Sequence, residues 1–153
     1  MKLISIKPLE KSNVDVVLEE IRNESSDYLK HFTPYNWRGV SFTNAVVNKE
    51  KDQFYGIFIN DYPVGFYMLR GLDAGYDIPS YGVWISEKYN GFGLASLSLK
   101  HAYTICKVNG IKTIMLKVHP KNTIAKNMYE KFGFKFNRND ETSEDMIYHM
   151  DVR

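Results

Sequence analysis

Cysteine is almost missing from this chain. Cys106 is the only one in 153 residues, so no intrachain disulfide can form and a zinc site built on several cysteines is excluded. A lone cysteine in a helical stretch reads as a small buried residue. Charge of one sign is lacking too. With 20 Lys+Arg against 18 Asp+Glu the net charge is +2, too small for the basic stripe that grips nucleic acid or the polybasic patch that holds a membrane surface. No apolar run is long enough to span a bilayer, and Met1-Lys2-Leu3-Ile4-Ser5-Ile6-Lys7-Pro8 lacks the apolar core of a signal peptide. The expected compartment is therefore the cytoplasm. There are no repeats, no low-complexity tracts and no Pro/Gly-rich linker, so one domain is expected over residues 1–153.

Aromatics are plentiful. The 11 Tyr and 9 Phe supply large burial per residue and argue against disorder. Their spacing gives the elements. Residues 3–7 suit a short strand. Val14, Val17, Leu18 and Ile21 recur at helical spacing over residues 14–22, with Ser12 or Asn13 as the cap. Residues 25–37 suit a helix plus loop, and residues 42–48 a short helix. Two strand-like runs, 53–59 and 62–70, flank Asn60-Asp61, a pair suited to a tight hairpin turn.

A loop over 71–80 leads to a strand at 81–86, and a glycine-rich segment then opens a helix reaching about Val108. Its expected apolar stripe is Leu94, Leu97, Ala102, Ile105 and Cys106, and Asn109-Gly110 stops it. The run 113–119 is a strand with the near-continuous apolar character of a sheet interior. A helix over 123–132 has the apolar face Ile124, Ala125, Met128, Tyr129 and Phe132. Phe134 and Phe136 begin another strand, 137–145 is a polar loop, and 146–152 is the last strand. This order predicts an α/β fold with a mixed sheet and flanking helices.

The segment Tyr89-Asn90-Gly91-Phe92-Gly93-Leu94-Ala95 stands between a strand and a helix. Small residues there let the backbone turn sharply and approach a ligand. The following helix offers unpaired N–H groups and a positive dipole end, which suit phosphate. Alone, Gly-x-Gly also fits a plain tight turn. Ser96 breaks the dinucleotide pattern Gly-x-Gly-x-x-Gly, and the Lys-Ser/Thr pair of a P-loop is missing.

Three elements together change the weight of that loop: residues 89–95, then Leu116-x-Val118-x-x-x-Asn122, then Ala125-x-x-Met128-Tyr129-Glu130-Lys131-Phe132-Gly133-Phe134. In spacing and order this stretch resembles the GNAT superfamily of acyl-CoA N-acetyltransferases. The first element is similar to that family's Gln/Arg-x-x-Gly-x-Gly/Ala pyrophosphate loop, the last to its Asn-x-x-Ala-x-x-x-Tyr-x-x-x-Gly-Phe helix. The resemblance covers residues 81–136. Asn90 departs from it, standing where the family prefers Gln or Arg; it keeps a donor but has neither the charge nor the reach of Arg.

The resemblance implies a mostly antiparallel sheet with one splayed pair of strands, and acetyl-CoA as cosubstrate between them. Carried over, Asn90, Gly91, Phe92, Gly93, Leu94 and Ala95 would hold the pyrophosphate. Backbone groups at Trp84 and Ile85 would pair with the pantetheine arm, and Asn122 and Ala125 would lie against the cofactor. A nearby N–H would polarise the thioester carbonyl. Tyr129 would stand by the leaving sulfur as the acid. Alone, Tyr129 fits a packed helix aromatic and Asn122 an N-cap. Two residues are candidates for the base: Asp77, before the strand at 81–86, and His119, at the end of the next strand. Each fits equally a solvated charge or a strand-end histidine. His31 and His101 read as surface or helix-face residues and His149 as a strand residue. No metal cluster is visible.

The acceptor side falls to residues 27–38, with His31, Phe32, Tyr35 and Trp37, and to the loop 68–80 with Arg70. Such aromatics stack on sugars or bases, or cover a core. The loop resembles members acting on amino-sugar nucleotides, and Arg70 would suit a nucleotide phosphate. A small-molecule primary amine is the expected acceptor. Protein N-terminal or lysine acetylation and a non-catalytic CoA-binding module stay open as alternatives. The family also implies a homodimer as an assembly to test.

Overall fold

The computed structural model describes residues 1–32 and 35–153. In chain order the elements are β1 (Ile4–Pro8), α1 (Val14–Arg22), α2 (Ser26–Leu29), α3 (Ser41–Asn48), β2 (Gln53–Ile59), β3 (Tyr62–Arg70), β4 (Ser80–Ile85), a 3₁₀ turn (Glu87–Tyr89), α4 (Leu94–Val108), β5 (Thr113–Val118), α5 (Thr123–Phe132), β6 (Lys135–Asn139) and β7 (Met146–Asp151). The strands form one seven-stranded sheet in the order β1-β2-β3-β4-β5-β7-β6. Every neighbouring pair is antiparallel except β4 and β5. This is the mixed, mostly antiparallel α/β sandwich expected.

The hairpin forms where expected. Asn60 and Asp61 both take positive φ, +48° and +67°, the geometry of a type I′ turn, whose twist matches that of the flanking strands. Asn60 Oδ1 also accepts from the Leu3 N–H, so the turn side chain pins the start of β1.

Helices α1 and α3 cover one face of the β1–β4 half of the sheet. There Val14, Val17, Leu18 and Ile21 meet Phe42, Phe54, Phe66 and Trp84. On the other face α4 and α5 cover β3–β5 and β7 with Leu99, Ala102, Cys106 and Tyr129 against Tyr67, Tyr81, Ile114, Leu116 and Tyr148. A third cluster, Ile57, Val64, Ile85 and Leu94, closes the end where β4 meets the start of α4. Cys106 is fully buried, as expected, and burial pushes its thiol pKa up to about 12.

Four expectations need correction. The buried stripe of α4 runs through Leu94, Ser98, Leu99, Ala102 and Cys106, whereas Leu97 is exposed. A serine sits inside because its hydroxyl pairs with the Tyr81 hydroxyl at 2.7 Å and donates to Ala95 O. Ile124 is 86 % exposed, so α5 packs through Ala125, Met128, Tyr129 and Phe132. Asn137 to Asn139 belong to β6, not to a polar loop. Asn13 does not cap α1: its side chain accepts from Glu10 N–H and donates to Pro8 O, tying the helix start to the end of β1.

Among the described residues no helix is long and apolar enough to cross a membrane, and no group of three or more His, Cys, Asp or Glu could hold a metal ion.

Candidate active site

β4 and β5 share a single register pair, Ser80 with Met115, reinforced by the Met115 N–H donating to Pro79 O at 3.0 Å. β4 then runs on to Ile85 and β5 to Val118 without further pairing. The two strands thus part toward their C-terminal ends. Parting leaves backbone N–H and C=O groups along the slot free to pair with a ligand, since such groups must find a partner somewhere.

The wide end of the slot carries the glycine-rich loop. Gly91 and Gly93 have φ of +85° and +82°, and a Cβ on either would meet nothing within 4 Å. Backbone conformation, not crowding, therefore requires glycine there, because an L side chain resists this region. Gly93 is the N-cap of α4, and the first helical bond runs from Leu97 N–H to Gly93 O. The N–H groups of Leu94, Ala95 and Ser96 are left without a carbonyl inside the helix, at the positive end of its dipole. Leu94 sends its side chain into the third core cluster, which fixes the helix start, while Phe92 stays 73 % exposed. These residues fit a pyrophosphate: donors converge and no side chain fills the cradle.

Trp84 is fully buried, with its indole in the first core cluster. The Ile85 carbonyl already accepts from the Tyr28 hydroxyl at 2.6 Å. Tyr129 is 8 % exposed and packs edge-on against Tyr81 and Phe134, with ring centroids 6.4 and 5.9 Å away. Its hydroxyl makes no hydrogen bond to a described residue, yet no fully buried side-chain N or O atom lacks a partner. This oxygen therefore opens to solvent, and α5 holds a buried ring with an uncommitted hydroxyl at its tip. Burial pushes the phenol pKa up to about 12, so it is protonated at neutral pH. Asn122 caps α5, its Oδ1 accepting from Ala125 N–H at 3.3 Å.

The two candidate bases differ in what holds them. His119 Nδ1 accepts from the Lys121 N–H at 3.1 Å and Nε2 lies 3.1 Å from Glu144 Oε2, which places the proton on Nε2 and engages both nitrogens. Asp77 is exposed in the loop before β4, and its carboxylate has no hydrogen-bond partner among the described residues.

On the acceptor side the aromatics mainly cover the core. Trp37 is 6 % exposed, donates from Nε1 to Phe32 O, and packs edge-on against Phe42 and Phe66. Arg70 lies over the Tyr35 ring at 5.8 Å. Thr33 and Pro34, within the expected acceptor segment, lie outside the described residues.

The contact of His101 joins residues 34 positions apart and is not legible in the sequence. The His101 Nδ1 meets the Tyr67 hydroxyl at 2.6 Å, and burial lowers the histidine pKa. The Glu24 and Tyr28 contacts to the end of β4 were equally hidden, since they join residues some 60 positions apart.

Comparison with known proteins agrees with this geometry. The family model for acetyltransferases of the GNAT family matches residues 17–134. No curated protein matches the chain. Among solved structures, PaiA N-acetyltransferase from Thermoplasma acidophilum in complex with coenzyme A superposes with a TM-score of 0.79 at 21% identity, over 97% of this chain and 99% of that one. A ribosomal-protein alanine N-acetyltransferase from Escherichia coli gives 0.77 at 17% identity, over 98% and 94%. A chimeric spermidine N-acetyltransferase with a Vibrio cholerae parent gives 0.75 at 13% identity, over 97% and 95%. At such identities the likeness speaks for the fold, and the family match carries the assignment: the chain belongs to the GNAT acetyltransferase family, whose members use acetyl-CoA as cosubstrate.

Proposed function

We propose that this chain transfers the acetyl group of acetyl-CoA to the primary amine of a small molecule, with an amino sugar carried on a nucleotide as the first acceptor to test. The observation that carries the transferase reading is the uncommitted Tyr129 hydroxyl on a buried ring, on the helix that follows the parted strand β5. A binding module has no use for such a group.

In this reading residues 90–95 hold the pyrophosphate, and the backbone of β4 around Trp84 and Ile85 holds the pantetheine arm. Acetyl-CoA supplies an activated thioester. Tyr129 keeps its proton at Oη for the departing sulfur. The burial that raises the phenol to about 12 also raises a thiolate placed beside it, so the proton passes between two groups shifted the same way. Asn122 and Ala125 set the start of α5 and hence the place of Tyr129.

The amine must lose a proton. At ~1.36 kcal/mol per pH unit, this costs roughly 1 kcal/mol at neutral pH for a group with pKa near 8 and about 4–5 kcal/mol for a lysine-like amine. A weakly basic acceptor needs little help. Asp77, with its unengaged carboxylate, is the first base to test, and His119 the second. Arg70 supports a phosphate-bearing acceptor. Glu20, Glu24 and Glu87, which with Asn23, Ser25, Ser86 and Lys88 line a recess of about 440 Å³, support one with a second positive charge.

The test is thiol release from acetyl-CoA against nucleotide-linked amino sugars, polyamines and peptide N-termini. Turnover on the first class is the expected result. Turnover confined to peptides would overturn the small-molecule reading, and CoA binding with no turnover on any class would favour the module.

A further inference from the structure

Four hydrogen bonds stitch the segment after α1 to the open end of β4, and the proposed chemistry uses none of them. Glu24 Oε2 accepts from the Glu87 N–H at 3.0 Å and from Trp84 Nε1 at 3.4 Å. The Tyr28 hydroxyl donates to Ile85 O at 2.6 Å and accepts from Asn90 Nδ2 at 3.1 Å. Burial raises the Tyr28 pKa against the opposing hydrogen bond from Asn90, so the hydroxyl keeps its proton. One donor and one acceptor are thereby both spent between the end of β4 and the first residue of the cofactor loop.

This explains Asn90. Its amide is directed sideways onto Tyr28, so the side chain joins the loop to α2. A Gln or Arg reaching for phosphate would break that bond.

Helix α2 has four residues and none is fully buried, though Tyr28, Leu29 and the following Phe32 pack partly against the first core cluster. A single turn does not hold itself together in water, so its order depends on that packing, on Ser25 Oγ capping the Tyr28 N–H, on the Tyr28–Phe32 ring contact at 5.0 Å, and on this stitch. The loop at the other end has two glycines in the left-handed region and nothing packed on them. Each segment costs conformational entropy to order, and a ligand that orders one lowers the cost of ordering the other.

We propose that Tyr28, through Asn90, is a positioning residue that couples the cofactor loop to the acceptor-side segment 24–32, so that coenzyme A bound at the loop orders the wall against which the amine binds. The coupling is reciprocal: whatever factor CoA contributes to acceptor affinity, the acceptor returns to CoA. The inference rests on the acetyltransferase reading.

Backbone hydrogen exchange on the full chain, with and without saturating coenzyme A, tests it without knowledge of the acceptor. In the wild type CoA should slow exchange in residues 91–97 and also, by roughly 3- to 10-fold, the scale of one hydrogen bond, in residues 24–32. In Tyr28→Phe, which keeps the ring against Phe32, saturated with CoA, residues 91–97 should still slow while the effect on 24–32 disappears. Slowing of 24–32 that persists in this variant overturns the coupling. So does wild-type slowing confined to 91–97. No slowing in either segment overturns the acetyl-CoA reading and this inference with it.

Discussion

Replacing Tyr129 by Phe removes one oxygen from a site where the oxygen has no partner among the described residues. Because nothing described bonds to it, no buried group is orphaned, and the ring keeps its contacts with Tyr81 and Phe134. Stability should change by no more than about 0.5 kcal/mol, the usual range for a substitution that breaks nothing. Tyr67→Phe makes the contrast. It deletes the hydroxyl bonded to His101 Nδ1 at 2.6 Å and should cost about 1 kcal/mol, with turnover kept. For Tyr129→Phe the expected loss lies in kcat, roughly 10²- to 10⁴-fold, the span of acid–base catalysis. That is about 2.7–5.4 kcal/mol of barrier. Affinity for acetyl-CoA should stay within about threefold, a difference of about 0.7 kcal/mol. The assay is thiol release at saturating acetyl-CoA with one active acceptor, beside calorimetric binding and a thermal melt. Unchanged kcat would remove Tyr129 from the mechanism. A fall in affinity with kcat unchanged would make it a binding residue only.

Gly93→Ala forces an L side chain to φ near +82° with open space around it. It should cost about 1–2 kcal/mol of conformational energy and raise the acetyl-CoA dissociation constant about 5- to 30-fold in calorimetry. Gly65→Ala places Cβ 2.7 Å from the Trp84 carbonyl oxygen, a backbone atom, whereas Gly82→Ala meets only the Met68 methyl at 2.6 Å, the end of a flexible side chain. The first should destabilise by about 1–3 kcal/mol and the second by distinctly less, as thermal melts would show. Burial raises the phenol pKa values of Tyr67, Tyr81 and Tyr129. The unfolded chain ionises near pH 10 while the folded chain does not, so the protection is fully present below pH 10 and is lost as pH rises. For Tyr129 the window runs from 10 to about 12, and each such group contributes a slope of about −1.36 kcal/mol per pH unit there. Urea unfolding between pH 8 and 11 should show stability falling from about pH 9, where the buried Cys106 thiol begins to contribute, and falling more steeply above pH 10.

How much of this was legible in the sequence follows from how local each signal is. The hairpin could be read because Asn and Asp are side chains that tolerate positive φ, and both adopt it. The loop of Gly91 and Gly93 could be read because its requirement is conformational and carried by adjacent residues. β6 was legible only at its start: all five of its residues are exposed, on an edge strand with a register shift between Phe136 and Arg138, so no apolar alternation marks its length. Ser98 inside α4 was hidden because its partner, Tyr81, lies 17 positions away on a strand. Leu97, three positions after Leu94, fits a helical stripe in the sequence, yet the helix turns that position to solvent. The stitch from Glu24 and Tyr28 to Trp84, Ile85, Glu87 and Asn90 depends wholly on how the sheet and α2 meet. The departure at Asn90 was visible in the sequence, but its partner was not.

The central claim is that the loop of residues 90–95 and the parted strands β4 and β5 hold acetyl-CoA. Calorimetric titration of acetyl-CoA into the wild type and Gly93→Ala tests it most directly. One site per chain is expected, with affinity in the micromolar range, ~−8 kcal/mol, weakened roughly 5- to 30-fold in the variant. Absence of binding to the wild type, or equal binding by both, would contradict it.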